Sequence, residues 1–311
     1  MTETPSRTSI WAAAARAIGS RYEDSRYRNP DLLADKLIGP AERDLIMGHP
    51  LSAALLSDAP ENRANPEVMG ATMTMIVRTK FVDEKLEAAV RNGATQFVIL
   101  GAGWDTRAYR MPELLRDVRI FEIDQPPTQN WKRRRAVETL GPPPPNVTYL
   151  PIDFRTQAPE QVLATAGYDP KQKTFFLWEG VTMYLPEQAI KDVFQWISRQ
   201  APGSTLVFDF AYQSTIDFFH AVKAGRYPLD NEFARVGYER LLQLEAWGEP
   251  WLFGIPDGNA EKFITDQGLV HRETIAMAST EAAKRYLGWD RPEPFPASIR
   301  QTYAIAEAGV A

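Results

Sequence analysis

The side chains that could do chemistry in this sequence gather around two glycines and four acidic or aromatic positions. Gly101 and Gly103 interrupt FVILGAGWDTRAYRM (residues 97–111), where a short apolar run passes straight into a charged, helix-compatible segment. Glycine has no Cβ, so a turn of this kind lets the backbone approach a ligand closely at the start of a helix. Asp124 follows 23 positions after Gly101, near the spacing of about 20 at which an acidic residue meets ribose hydroxyls in nucleotide-binding folds. Asp153 and Phe154 then offer a carboxylate for an exocyclic amine and a ring to pack on a base, and Glu179 closes the series. Taken singly, each acid would serve as a helix cap or turn former. Placed at successive strand ends of one parallel sheet they converge on one crevice, which suits a nucleoside-bearing cofactor.

The elements that must hold them are legible as an alternation. TQFVIL (95–100), RIFEID (119–124), VTYLPID (147–153), TFFLWEG (174–180) and STLVFDF (204–210) read as buried strands, separated by stretches long enough for crossover helices. That is the pattern of an α/β protein with a parallel sheet covered on both faces. Ahead of it, residues 8–40 predict an Ala-rich helix opened by Thr8 or Ser9, a turn at Asn29-Pro30 and a second short helix, which together form an N-terminal helical cap over residues 1–71. Apolar residues from Met75 to Val90 recur at helical spacing up to the C-cap signal Asn92-Gly93. After the fifth strand, residues 211–251 carry DFFHAVKAG and ERLLQLEAW, read as a helical lid inserted before the sheet resumes at GLVHRETIAM and ends at RQTYAIAEA. The whole chain, 1–311, is expected to be one domain.

Composition removes several alternatives. The 311 residues carry a formal net charge of -5, whereas nucleic acid and anionic membranes usually call for a basic surface. The one basic cluster, Lys132 to Arg135 in WKRRRA, reads as the solvated face of a helix. No cysteine is present, and His49, His220 and His271 are far apart in sequence, so neither a thiolate nucleophile nor a zinc site is expected. The apolar stretch near the N-terminus is too short for a secretory signal and is broken by Arg16, which gives a cytoplasmic expectation.

The cofactor is narrowed by what the glycine turn lacks. A nicotinamide fingerprint wants a third glycine at position 106, where Thr106 stands. LGAGWDTRAYR, FEIDQP, LPIDF, WEGVTMYL and GEPWLFGIP, in this order and spacing, are similar to the leucine carboxyl methyltransferase family, in particular its bacterial branch of polyketide-type O-methyltransferases. The likeness runs from about Ser9 to the C-terminus. It implies the class I methyltransferase fold, a Rossmann-like seven-stranded sheet whose last strand is antiparallel, and S-adenosyl-L-methionine as cofactor. By the same likeness Arg78 would grip the cofactor carboxylate, with Gly101 in the loop by its methionine part; Gly103 is a cofactor-binding candidate from the glycine turn itself. Asp124 would meet the ribose, Asp153 and Phe154 the adenine, and Glu179 the methionine end. Arg16 would be a second basic contact.

The expected reaction is methyl transfer from the cofactor to a carboxylate or hydroxyl oxygen of a small molecule. Methylation of a protein C-terminus, or cofactor binding without catalysis, are the alternatives. Phe218, Phe219, Tyr227, Trp247 and Trp251 in the insert suit an aromatic or apolar acceptor, although the same rings would serve equally as lid core. A hydroxyl acceptor needs a base, and His220 and Tyr212 are the candidates on the presumed lid; a carboxylate, already ionised, needs none.

Overall fold

A computed structural model describes residues 4–48, 50–57, 65–154, 156–230, 232–289, 295 and 302–311. His49 and the expected strand start at Arg300 and Gln301 lie outside them. Four helices, α1 (Arg7–Ser20), α2 (Ala34–Leu37), α3 (Pro40–Ile46) and α4 (Pro50–Leu56), precede the long α5 (Pro66–Arg91). α5 starts at Pro66, within the stretch 1–71 expected to form the cap. Asn65 accepts hydrogen bonds from the N–H groups of Glu67 and Val68, and Pro66 fills a first position that needs no donor.

The alternation then follows as read: β1 (Gln96–Leu100), α6 (Arg107–Arg110), β2 (Arg119–Asp124), α7 (Pro126–Leu140), β3 (Val147–Pro151), α8 (Pro159–Ala164), β4 (Thr174–Trp178), α9 (Glu187–Ile197) and β5 (Thr205–Ala211). Two insert helices follow, α10 (Gln213–Lys223) and α11 (Glu232–Ala246), and then α12 (Ala260–Asp266), β6 (Val270–Ala276), α13 (Thr280–Leu287) and β7 (Tyr303–Gly309). β3 stops at Pro151 rather than Asp153, and β5 runs on through Ala211, the residue at which the insert was expected to begin. Among the described residues no helix is long and apolar enough to cross a membrane.

The seven strands are ordered β3-β2-β1-β4-β5-β7-β6, with β1 to β5 parallel and β7 antiparallel to both of its neighbours. The period of two divides each central strand between two cores. Phe97, Ile99, Phe175 and Leu177 pack beneath α5 and α13, while Val98, Leu100, Phe176 and Trp178 pack against α9. Both faces being apolar, the strands read as unbroken hydrophobic runs, which is why they were legible. The order reverses between β1 and β4. Their outgoing loops, which carry Gly101 and Glu179, diverge there and leave a crevice at the carboxyl ends.

The basic cluster on α7 departs from a solvated face. Arg133 and Arg134 are exposed and lie over the rings of Tyr149 and Trp131, but Lys132 is fully buried and pairs with Glu122 at 2.5 Å. α7 therefore turns one charge inward to meet an acid on β2.

Candidate functional site

A cavity of about 1080 Å³ occupies the crevice. Small-molecule pockets reach roughly 1,000 Å³, so this one has room for two reactants side by side. Its floor is the strand ends, and its walls come from α1, the first turn of which reaches α7, and from the insert. Glu249, just beyond α11, accepts hydrogen bonds from Ser6 Oγ at 3.0 Å, Arg7 N at 2.8 Å and Thr8 N at 3.3 Å. Ser6 N in turn donates to Thr128 Oγ1 at 3.0 Å. One carboxylate thus fastens the end of the insert to the positive end of a helix, so the cap and the insert meet over the cavity.

The glycine turn lines the cavity but differs from expectation in where its donors point. Gly101 N and Ala102 N donate to Ile123 O at 2.8 and 2.9 Å, and Gly103 N donates to Asp124 Oδ2 at 2.5 Å. These N–H groups tie β1 to the end of β2, so what the turn gives a ligand is room. Both glycines have left-handed φ, 73° and 47°, and a Cβ on Gly101 would collide with the Val181 side chain. Asp124 is held by both oxygens, Oδ1 accepting from Gln125 N at 2.6 Å. Burial pushes its carboxyl up to about 6, against the two N–H groups that favour the ionised form.

Arg78 and Glu179 meet at the reversal point. Arg78 Nη1 donates to Asp209 Oδ2 at 2.9 Å, and Nε lies 3.0 Å from Glu179 Oε1 but out of line for a hydrogen bond. Its Nη2 makes no hydrogen bond among the described residues, which leaves one nitrogen for a ligand rather than the free fork expected from the sequence. Glu179 is also paired with Arg107, whose Nη1 lies 3.2 Å from Oε2. Arg107 is buried beneath the cavity, pairs with Asp83 at 2.9 Å and donates to Asp105. Burial works against ionisation of Glu179 and Asp105, yet the arginines outweigh it and hold both carboxyls below their ordinary values. For Asp209 burial prevails over Arg78 and the Gly180 N–H, and its carboxyl is raised. With Arg110 on Asp83, three arginines face four carboxylates, an excess of negative charge that a cationic ligand would offset.

Arg16 also lines the cavity. It pairs with Asp31 at 2.9 Å and donates to Trp104 O at 2.8 Å, which anchors the turn to α1. Phe154 lines the cavity, but its neighbour Asp153 does not. Pro151 ends β3, and the next residues curl so that Asp153 N donates to Gln157 Oε1 at 3.1 Å while Asp153 O caps the following turn.

The catalytic candidates fare differently from the cofactor set. His220 is exposed on α10 and Tyr212 packs its ring against Phe210; neither lines the cavity. The insert brings other groups there instead: Arg240, Gln243, Trp247 and Trp251, opposite Tyr184 and Tyr303. Phe218 and Phe219 pack together as insert core, and the exposed Tyr227 lies edge-on to Phe218, so the aromatic residues divide between the two roles considered. Sequence reasoning missed Asp105, Arg107 and Asp209. The first two stand inside GWDTRAYR, and the third is a lone acid in the apolar strand TLVFDFA, a signal in itself.

The model of the leucine carboxyl methyltransferase family matches residues 9–198, which contain the glycine turn, Asp124, Glu179, Arg78 and Arg107. The chain belongs to that family. A relative from Mycobacterium avium (strain 104), named as a candidate S-adenosyl-L-methionine-dependent methyltransferase, is 34% identical over 212 residues, covering 68% of each chain. One from Streptomyces coelicolor, named likewise, is 33% identical over 222 residues, covering 69% of this chain and 72% of its own. Among solved structures, a candidate methyltransferase from Thermobifida fusca YX has a TM-score of 0.55 at 16% identity, covering 99% of this chain and 96% of its own, a likeness of fold. For this member of the leucine carboxyl methyltransferase family the matched segment ends at the start of the insert's approach. The part of the cavity wall supplied by the insert therefore lies outside the matched segment.

Proposed function

We propose that residues 1–311 act as one S-adenosyl-L-methionine-dependent O-methyltransferase domain that methylates a carboxylate or hydroxyl oxygen of a small, polyketide-type molecule. The observation that carries this reading is the charge arrangement at the reversal point, where Arg78 and Glu179 line the cavity above an acid-rich cluster. That set suits a ligand with a carboxylate, an ammonium and a sulfonium. The names of the relatives agree with it.

The residues fit the cofactor in three places. Arg78 and Arg16 would hold its carboxylate, and Glu179 its ammonium. Asp124, fixed by two backbone donors, would accept from the ribose hydroxyls, and Phe154 would pack on the adenine. Bound there, the cofactor supplies an already activated methyl group, so the protein's task is to align the acceptor and exclude water.

The test is calorimetric titration of the protein with S-adenosylhomocysteine, followed by Asp124→Ala. Wild type is expected to bind, and the variant to lose roughly 1–3 kcal/mol, the usual cost of an unpaired buried group. No binding by wild type overturns the cofactor reading. Unchanged affinity in Asp124→Ala removes Asp124 from the site.

A further inference from the structure

We infer that the α11 face of the cavity is an acceptor subsite in which Arg240 grips the carboxylate of an aromatic acid, making Arg240 the residue that selects a carboxylate as the methyl-accepting group. This rests on the methyl-transfer reading above and chooses between its two acceptor classes.

Val236, Arg240, Gln243, Leu244 and Trp247 all line the cavity. Val236, Arg240, Gln243 and Leu244 share one face of α11, with Trp247 just beyond its end; Glu239 and Glu245, on the flanks of that face, line the cavity too, and Arg240 is the cation among them. Arg240 is only partly exposed and has no ion pair or hydrogen bond among the described residues. The carboxylates that might quench it are engaged elsewhere: Glu245 pairs with Lys223, Glu249 caps α1, and Glu179 lies between Arg78 and Arg107. Glu239 is exposed. Gln243 Oε1, one turn along, is buried without a hydrogen-bond partner, so this wall also offers an acceptor for an N–H or O–H donor elsewhere on a guest, apart from the carboxylate at Arg240. Arg7 also lines the cavity, but it begins α1, whose first turn is pinned to Thr128 beside the proposed ribose site.

Tyr303 fixes how this wall stands to the cofactor end. Its phenol lines the cavity, and its ring lies edge-on to Trp251 with centroids 5.1 Å apart. Burial pushes the phenol up, and Arg240 and Arg78 are the charges that work against the rise. Tyr303, Arg240 and Arg78 line the same cavity, and both guanidiniums are within electrostatic reach of the phenol. A carboxylate on Arg240, flanked by Tyr303 and the rings of Trp247 and Trp251, is held next to the methionine end.

The chemistry favours an acid. A carboxylic acid with pKa near 4 is ionised at neutral pH, whereas a phenol or alcohol must first lose a proton. No described residue lining the cavity is a histidine or lysine, and burial moves the phenols of Tyr184 and Tyr303 further from neutrality. The transfer itself balances without a base. A carboxylate oxygen lone pair forms the new bond to the methyl carbon, the carbon–sulfur bond breaks with its electrons going to sulfur, and the products are a methyl ester and S-adenosylhomocysteine.

The probes are 1-naphthoate and its uncharged isostere 1-naphthamide, titrated calorimetrically into the protein saturated with S-adenosylhomocysteine. Wild type is expected to bind the acid at least about tenfold more tightly than the amide. Arg240→Gln should erase that preference and Arg240→Lys should keep part of it, because an ammonium holds the charge without the planar fork. S-adenosylhomocysteine affinity should stay unchanged in both. Equal affinity for acid and amide in wild type, undetectable binding of both included, overturns the proposal, as does a preference that survives Arg240→Gln. Failure of S-adenosylhomocysteine itself to bind marks the cofactor reading, and not the subsite, as the part that fails.

Discussion

On the sheet side of the cavity Arg78 and Arg107 each pair with two or more carboxylates, whereas on the helical side Arg240 pairs with none among the described residues. Both sides are built from the same kinds of residue, so the difference lies in the elements that carry them. Strand ends are fixed by the sheet register, which lets charges be paired in advance at positions that hardly move. An insert helix is fixed mainly by its apolar stripe, here Leu241 and Leu244 of α11, which cluster with Phe219 of α10 and with Trp251, and its polar face is left to whatever enters. Paired charge on the sheet is part of the fold, and unpaired charge on the insert is kept for a ligand.

The largest effect that could break this contrast is on stability. Removing one partner of a buried pair leaves the other charged in a poor dielectric, at a cost of about 3–5 kcal/mol. Arg107→Met, which strips Asp83, Asp105 and Glu179 of a shared partner, should lose that much in urea denaturation, with Arg107→Lys in between. Arg240→Met should stay within about 0.5 kcal/mol of wild type, as surface changes away from networks do. Similar losses from both substitutions would dissolve the distinction.

A smaller effect sharpens it through pH. In the proposed cofactor site ribose hydroxyls would donate to Asp124, which makes the ionised carboxylate the binding form expected there. With its carboxyl at about 6, S-adenosylhomocysteine affinity should be level above pH 7 and about tenfold weaker at pH 5. Loss of fold at this residue cannot imitate that. A pKa raised above the unfolded value of roughly 3.9 gives stability that is full below that value and lost as pH rises through 6, the opposite direction. Calorimetry from pH 5 to 8 reads the slope, and Asp124→Asn should flatten it. An affinity that stays level down to pH 5 in wild type would detach Asp124 from the ligand.

The same contrast separates what was legible in the sequence from what was not. Strands buried on both faces announce themselves as apolar runs, and the acid that closes each run falls at a carboxyl end by construction, which is how Asp124 and Glu179 were found. Asp153 was misplaced in detail because Pro151 cannot continue the ladder and the chain curls beyond it. Arg107 and Asp209 were missed for a different reason: nothing in one sequence distinguishes a charge that meets ligand from one that meets another charge 24 or more residues away. On the insert, the periodicity specified two helices but not which face of each would turn inward. His220 and Tyr212 were therefore chosen by residue type, while Arg240 and Gln243, on the face that does line the cavity, were passed over.

The smallest expected effect concerns His220, and it tests whether the insert contributes a base at all. The side chain is exposed on α10 and absent from the cavity wall. With a carboxylic acid as acceptor, kcat/KM should be flat from about pH 7 to 9 and decline below about 6, where Asp124 takes up a proton. A histidine base would place a limb in nearly the same region, its ordinary pKa being roughly 6.5, so the position of the limb alone does not discriminate. The substitution does. His220→Ala should leave both the plateau and the acidic limb within about twofold of wild type, because a proton on Asp124 acts through cofactor binding and needs nothing from α10. Loss of the limb in His220→Ala, together with a lowered plateau, would mean that α10 turns His220 into the cavity during turnover and that the acceptor is a hydroxyl needing its base.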